Sequence, residues 1–225
     1  TDRASLVVLV KYPQNGRVKT RLASQIGEDH ATILYRNFVE ICLARFTQIE
    51  HLDCTVYFDP PEEEHAFRRW LGDKPSYLPQ SSGDLGERLR YAMDHQLKEY
   101  SRVIAVGSDS PDLPMDYISQ AITSLAQNDC TIGPTDDGGY YLIGLSTPAF
   151  EIFDNIPWST DNVKQSTLDK AKESELSVHL LPSWYDVDKA KDLRRLMNSD
   201  LPEIKQIVKL HEEIVDNLIN PQEIS

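Results

Sequence analysis

Cysteine is close to absent from this chain: three in 225 residues, Cys42, Cys54 and Cys130, odd in number and without a C-x-x-C spacing. Neither a disulfide framework nor a zinc ribbon can be built from them, and a reducing, cytoplasmic setting is the expectation. Long apolar runs are missing too. The longest early one, Leu6 to Val10, has five residues, short of the roughly 7–15 of a signal-peptide core and the roughly 20 of a membrane span. The six histidines include no H-x-x-x-H pair, and no serine stands in a G-x-S-x-G elbow. Zinc hydrolysis and Ser-His-Asp catalysis are thereby disfavoured. Positive charge is also in deficit, with 23 Lys+Arg against 36 Asp+Glu and a net charge of −13. A phosphate backbone would be repelled, so a nucleic-acid partner is not expected.

The charge is unevenly laid out. From Arg3 to Gly27 the chain has five basic residues (Arg3, Lys11, Arg17, Lys19, Arg21) and no acid. From Val103 to Val163 it has nine acids and no Lys, Arg or His. If the fold brings the two stretches together, one can hold phosphates and the other a divalent cation.

Ser5 to Lys11 is β-branched and almost wholly apolar, the pattern of a parallel strand buried on both faces. Similar short strands are expected at Cys54–Phe58, Ser76–Leu78, Arg102–Val106, Cys130–Gly133, Tyr140–Leu145 and Val178–Leu181. Helical periodicity falls between them, at Glu28–Gln48, Glu62–Leu71, Glu87–Glu99, Met115–Ala126 and Asp161–Lys172. Two more helices are expected at Lys189–Met197 and Glu203–Ile219. Strands alternating with helices imply an α/β layered fold with a mainly parallel sheet. With no repeat or linker, one domain over residues 1–225 is expected, with a helical extension from about residue 201. That extension packs either on the domain or on a second subunit as a homodimer.

In such sheets ligands bind beyond the carboxyl ends of the strands, and five segments there carry chemistry. Gly16-Arg17-Val18-Lys19-Thr20-Arg21 offers a glycine, backbone N–H groups and cationic side chains to a pyrophosphate, without the second glycine of a P-loop. Gly107-Ser108-Asp109-Ser110-Pro111-Asp112 can present Asp109 to Mg²⁺ or Mn²⁺; Asp112 reads as a helix cap. Asp136-Asp137-Gly138-Gly139-Tyr140-Tyr141 opens a strand, with a type I′ turn as the structural alternative and the two tyrosines on opposite faces. In Trp158-Ser159-Thr160-Asp161 a hydroxyl either caps a helix or meets a ligand. Asp186-Val187-Asp188 sets two acids on one side if extended, and these either complete a metal site or cap the next helix.

Taken in order, K-Y-P-Q-N-G-R-V-K-T-R-L, Q-S-S-G-D-L-G-E-R-L, G-S-D-S-P-D-L-P, D-D-G-G-Y-Y-L-I-G-L, P-W-S-T and D-V-D-K-A-K-D-L resemble the blocks of the glycosyltransferase-like DUF2064 family, from Leu6 to about Leu193. The resemblance implies a nucleotide-diphospho-sugar transferase fold of GT-A type, a mixed sheet between two helical layers. It also implies that Asp109 is a metal-binding aspartate, that Lys19 and Arg21 belong to the phosphate loop with Gly16, and that Gln80, Gly83 and Asp84 line the nucleotide. More loosely, the blocks are similar to those of phospholactate guanylyltransferases, which share the K-T/S-R-L loop and a D-G-G turn. The central loop departs from a D-x-D pattern, because Pro111 stands two residues after Asp109.

The leading expectation is a metal-assisted glycosyltransferase that moves a sugar from a nucleotide diphosphate to a small acceptor. Asp109, shared with Asp188, would hold Mg²⁺ or Mn²⁺; Lys19 and Arg21 would hold the phosphates. Asp137 would orient or deprotonate the acceptor hydroxyl, with Gly138, Gly139, Tyr140, Trp158 and Ser159 shaping its pocket. Nucleotidyl transfer from an NTP is the alternative. A non-catalytic nucleotide-binding interaction domain is a third reading.

Overall fold

The computed structural model describes residues 3–211. Its centre is a seven-stranded sheet in the order β3-β2-β1-β4-β6-β5-β7. The strands are β1 (Ala4–Lys11), β2 (Leu52–Asp59), β3 (Ser76–Pro79), β4 (Val103–Val106), β5 (Cys130–Pro134), β6 (Tyr140–Leu145) and β7 (Val178–Leu180). Neighbours pair in parallel except around β6, which runs against both β4 and β5. Chain order reverses between β1 and β4, since β2 and β3 extend the sheet on one side of β1 and β4 lies on the other.

Both sheet faces are covered, which is why the strands read as apolar runs rather than as alternating ones. Leu6, Val8 and Val10 of β1 join a core with Tyr35, Val39, Cys42 and Phe46 of α2 (Glu28–Phe46) and with Ile118 and Ala121 of α5 (Met115–Ser124). Val7 points the other way, into a core with Leu89, Ala92 and Met93 of α4 (Leu85–Leu97) and Ala171 of α6 (Val163–Glu173). Burying each Leu, Ile, Val, Phe or Met among these side chains contributes about 1.5–3 kcal/mol. α1 (Thr20–Ile26) follows β1, and α3 (Glu64–Leu71) is entered through a 3-10 turn at Pro61–Glu63. The three cysteines are buried and free, and burial pushes the Cys54 and Cys130 thiols up to about 12.

The expected helices appear, with boundaries set by local chemistry. α4 starts two residues earlier than the periodicity predicts because Asp84 caps it. Its carboxylate accepts the Glu87 N–H at 2.9 Å while the Glu87 side chain accepts the Asp84 N–H at 2.9 Å, a reciprocal capping box. Asp84→Ala is expected to remove about 1 kcal/mol of stability; an unchanged denaturant midpoint would show that the box does not form in solution.

α7 (Ala190–Leu196) and α8 (Pro202–Leu210) complete the described chain. Ile204 and Ile207 of α8 pack with Leu34 and Phe38 of α2 and Leu193 of α7. The described part of the carboxyl extension therefore lies on the same chain; residues 212–219 of the expected helix fall outside the described residues. His211 follows α8, buried, its ring edge-on to His30 of α2 at 6.0 Å between centroids. Burial, and then the charge of His30, hold its pKa below the ordinary value of about 6.5. The unfolded chain then binds the proton more readily, so this stabilisation is present above about pH 6.5 and is lost as pH falls. Amide protection in α8, corrected for intrinsic exchange, should drop between pH 7.5 and 5.5 in the wild type and not in His211→Phe. A drop of equal size in both proteins would remove His211 as the cause.

Candidate functional site

Because β1, β4, β5 and β7 run the same way, the segments after them gather at one edge of the sheet, together with the turn that opens β6. They surround a cleft of about 980 Å³ over the reversal point between β1 and β4. The acid-free amino-terminal stretch and the base-free central one meet there, which the charge layout alone left open.

The floor is held firmly. Tyr35 of α2 pins the end of β1, its hydroxyl accepting the Lys11 N–H at 2.9 Å and donating to the Lys11 carbonyl at 3.0 Å. Arg45, also on α2, donates to the Pro111 and Leu113 carbonyls at 2.6 and 2.9 Å and so fixes the loop after β4. That loop is sewn to the segment after β7. The Val187 N–H donates to the Asp109 carbonyl at 2.9 Å, and the Ser110 hydroxyl lies 2.7 Å from the Tyr185 carbonyl and 2.8 Å from Oδ1 of Asp186.

Two carboxylates share one cation across these loops. Lys19 Nζ lies 2.8 Å from Oδ1 of Asp109 and 2.9 Å from Oδ1 of Asp188, with Arg21 at 3.8 Å from Asp188. The Lys19 side chain is only 4% exposed, whereas the two carboxylates are about a third exposed on the cleft. Burial works against the Lys19 charge, but Asp109 and Asp188 outweigh it and raise its pKa. For Asp188 burial works upward, and Lys19 and then Arg21 overcome it and hold the carboxyl below the usual range. Asp186 lacks such a partner. Burial, then the charge of Asp109, push it up to about 7.

Of the residues named from the sequence, Lys19, Arg21, Gln80, Gly83, Asp84, Asp109, Asp137, Gly139, Tyr140, Trp158, Ser159 and Asp188 all line the cleft. Gly16 and Gly138 do not line it: Gly16 abuts Glu28, and Gly138 abuts the backbone of Asp161. Gln80 is partly committed to the fold, its amide donating to the Tyr57 and Val10 carbonyls at 2.8 and 3.2 Å. Asp137 is exposed and accepts from the Thr135 hydroxyl at 2.6 Å. Tyr141 is buried and Tyr140, on the other face, packs edge-on against Trp158 at 6.3 Å.

One local expectation, the Asp112 cap, is corrected, and two structural alternatives do not form. The hairpin does not form a type I′ turn, because positive φ falls on Gly138 alone and the Gly138 N–H reaches back to the Thr135 carbonyl. The β5–β6 pairing register shifts at Gly133/Pro134, next to that turn. Asp112 does not cap α5, which begins after Pro114; it accepts instead from the Tyr185 hydroxyl at 2.6 Å. Nor do Ser159 and Thr160 cap α6, whose N-cap is Asn162.

Arg88 was missed as a cleft residue. It lies one turn inside α4, donating to the Gly83 carbonyl at 3.0 Å and to Gln80 Oε1 at 3.2 Å. The i, i+4 step from Asp84, on a helix whose start faces the cleft, was the available signal. Arg17, part of the acid-free stretch, is exposed and also lines the cleft. Among the described residues no group of three or more His, Cys, Asp and Glu converges as a metal cage.

The model of DUF2064, described as an uncharacterized protein conserved in bacteria, matches residues 42–160. The chain belongs to the DUF2064 family. The DUF2064 match takes in Gln80, Arg88, Asp109, Asp137 and Trp158 and stops short of Lys19 and Asp188 on either side. A crystal structure from Desulfovibrio desulfuricans G20, provisionally named a nucleotide-diphospho-sugar transferase, is 33% identical, with a TM-score of 0.88 over 97% of this chain and 99% of that one. A 4-diphosphocytidyl-2C-methyl-D-erythritol synthase from Anaerococcus prevotii DSM 20548 is similar at 10% identity and a TM-score of 0.58, covering 85% of this chain and 94% of that one. A manganese complex of Rv0371C from Mycobacterium tuberculosis H37Rv is similar at 17% identity and a TM-score of 0.52, over 88% of this chain and 100% of that one. This DUF2064 protein thus has the nucleotide-diphospho-sugar transferase and cytidylyltransferase fold, a mixed sheet with helices on both sides. No curated protein matches it in sequence. No described helix is long and apolar enough to cross a membrane.

Proposed function

We propose that this protein is a metal-assisted glycosyltransferase that moves a sugar from a nucleotide diphosphate to the hydroxyl of a small acceptor. The observation that carries the reading is the meeting, over the reversal point of the sheet, of Arg17 and Arg21 with the Asp109–Asp188 pair in one cleft. The D. desulfuricans relative, by its name, supports a nucleotide-sugar donor.

The donor set suits a hard divalent cation. Asp109 and Asp188 are carboxylates, both already turned toward one positive charge, and Mg²⁺ commonly takes one or two protein carboxylates and completes its shell with waters and phosphate oxygens. Bound there, Mg²⁺ or Mn²⁺ would neutralise charge developing on the diphosphate. In the transfer itself the bond from the sugar's anomeric carbon to the β-phosphate oxygen breaks, and a bond to the acceptor oxygen forms. Arg17 and Arg21 meet the charge left on the nucleoside diphosphate. Asp137, exposed in the cleft, takes the acceptor's proton. Tyr140 and Trp158 form an apolar wall beside it.

Calorimetry with a panel of nucleotide sugars and NTPs, with and without Mn²⁺, tests this. Binding of a nucleotide sugar that strengthens with Mn²⁺, followed by release of nucleoside diphosphate in the presence of an acceptor, is the expected result. Tighter metal-dependent binding of an NTP with release of pyrophosphate would replace the reading by nucleotidyl transfer. Binding of none would leave an interaction domain.

A further inference from the structure

The acid-free loop after β1 leads one to expect a lysine held out to a phosphate. Lys19 is instead folded inward. Its backbone takes the left-handed conformation, φ 47° and ψ 42°, which non-glycine residues adopt infrequently, and it does so at the start of α1 with no side-chain cap. Its ammonium bridges Asp109 and Asp188, and its side chain is 4% exposed. The two carboxylates best suited to hold a divalent cation are therefore already bridged, and half neutralised, by a cation belonging to the protein.

We infer that Lys19 decides the form in which the cation enters: the cleft accepts a divalent cation already chelated by a nucleoside diphosphate and resists the free ion. This rests on the transferase reading. A free ion that takes the two Oδ1 atoms must expel the ammonium from both carboxylates and leave it buried without an acceptor, the costly outcome for a buried charge. It also adds positive charge beside Arg21, 3.8 Å from Asp188. A chelated ion brings its own counter-charge. The phosphate oxygens accept the ammonium as it leaves the carboxylates, a short transfer for a head group on a flexible four-carbon stem. They also complete the coordination shell that two carboxylates leave open. Lys19 is thus a specificity-determining residue that couples cation entry to nucleotide entry and keeps the carboxylates from trapping free metal.

The test is Mn²⁺ binding to the full chain, measured by calorimetry and by the loss of the free-ion paramagnetic resonance signal. It is run alone and with UDP, GDP, CDP or ADP. Lys19→Met, which keeps the stem and removes the charge, should bind Mn²⁺ alone at least about tenfold more tightly than the wild type. The wild type should take up Mn²⁺ once one of the diphosphates is present. Equal binding of Mn²⁺ alone by the two proteins would overturn the role of Lys19 and leave the transferase reading standing. No Mn²⁺ uptake by either protein under any condition would overturn the cation in the transferase reading as well. Should Lys19→Met not fold, the wild type carries the test through the ¹⁵N signal of the Lys19 ammonium. That signal should persist through a Mg²⁺ titration and move when Mg²⁺ and a nucleoside diphosphate are both added. Movement with Mg²⁺ alone would refute the coupling.

Discussion

Asp109→Asn is expected to lower turnover by on the order of 10²–10³, measured as release of nucleoside diphosphate from the donor that binds in the calorimetric panel. The change removes one negative charge and almost no volume. Its effect on folding should be modest: the loop stays pinned by Arg45 and by the Val187 N–H, and Lys19 keeps Asp188 as a partner. The loss in rate is large because Asp109 is, among the described residues, one of two cleft carboxylates that ion-pair with a common cation. An amide oxygen carries too little charge to replace it. Asp136→Asn is the matched control. It is exposed on the β5–β6 turn, pairs with Arg195 at 2.7 Å, and does not line the cleft, so it should keep near wild-type turnover. If Asp109→Asn stayed within threefold of the wild type with its metal dependence unchanged, the carboxylate pair would not be the centre of the chemistry.

Gly138→Ala should cost about 2–5 kcal/mol of stability, as two strains coincide there. Its φ is +91°, in the left-handed region, where a Cβ is penalised by roughly 1–2 kcal/mol. That Cβ would also stand 2.0 Å from the Asp161 carbonyl oxygen and 2.6 Å from its carbonyl carbon, backbone atoms that cannot rotate aside. Relief requires the turn to move away from the 158–163 segment, which the Lys164 N–H ties to the Gly138 carbonyl at 2.8 Å. Trp158 and Ser159 travel with that segment, so donor or acceptor binding should weaken together with stability. Gly107→Ala provides the contrast. No left-handed φ is required at Gly107, and its added Cβ would meet nothing closer than 3.8 Å, so the change should stay within about 0.5 kcal/mol. Equal denaturation midpoints for the two variants would remove the close approach as a cause.

The apolar runs at Leu6–Val10 and Val103–Val106 revealed a sheet covered on both faces, because a strand without polar alternation has no face to give to water. Loop chemistry was legible as well. Asp109, Asp137 and Lys19 were found because polar, glycine-containing segments just past such strands have nowhere to lie but the ligand-binding edge. Helix caps were read less well. A cap depends on where the chain turns, and Asp112 and Thr160 have cap-like sequences but different partners, Tyr185 and the carbonyl of Pro157.

What the sequence determined by itself is therefore the α/β layering, the segregation of basic and acidic stretches, and the set of segments that form the cleft. All of these follow from local pattern. Pairing was decided by the tertiary structure alone. Lys19 and Asp188 are 169 residues apart, and nothing in either neighbourhood says that the lysine faces inward to carboxylates rather than outward to a phosphate. That choice depends on β1, β4 and β7 ending at one edge, and on the Val187–Asp109 hydrogen bond that ties the segment after β7 to the loop after β4. The basic loop was read as a bare phosphate cradle. In the fold its most buried cation is held in reserve between two acids, because a buried ammonium is stable only where carboxylates meet it.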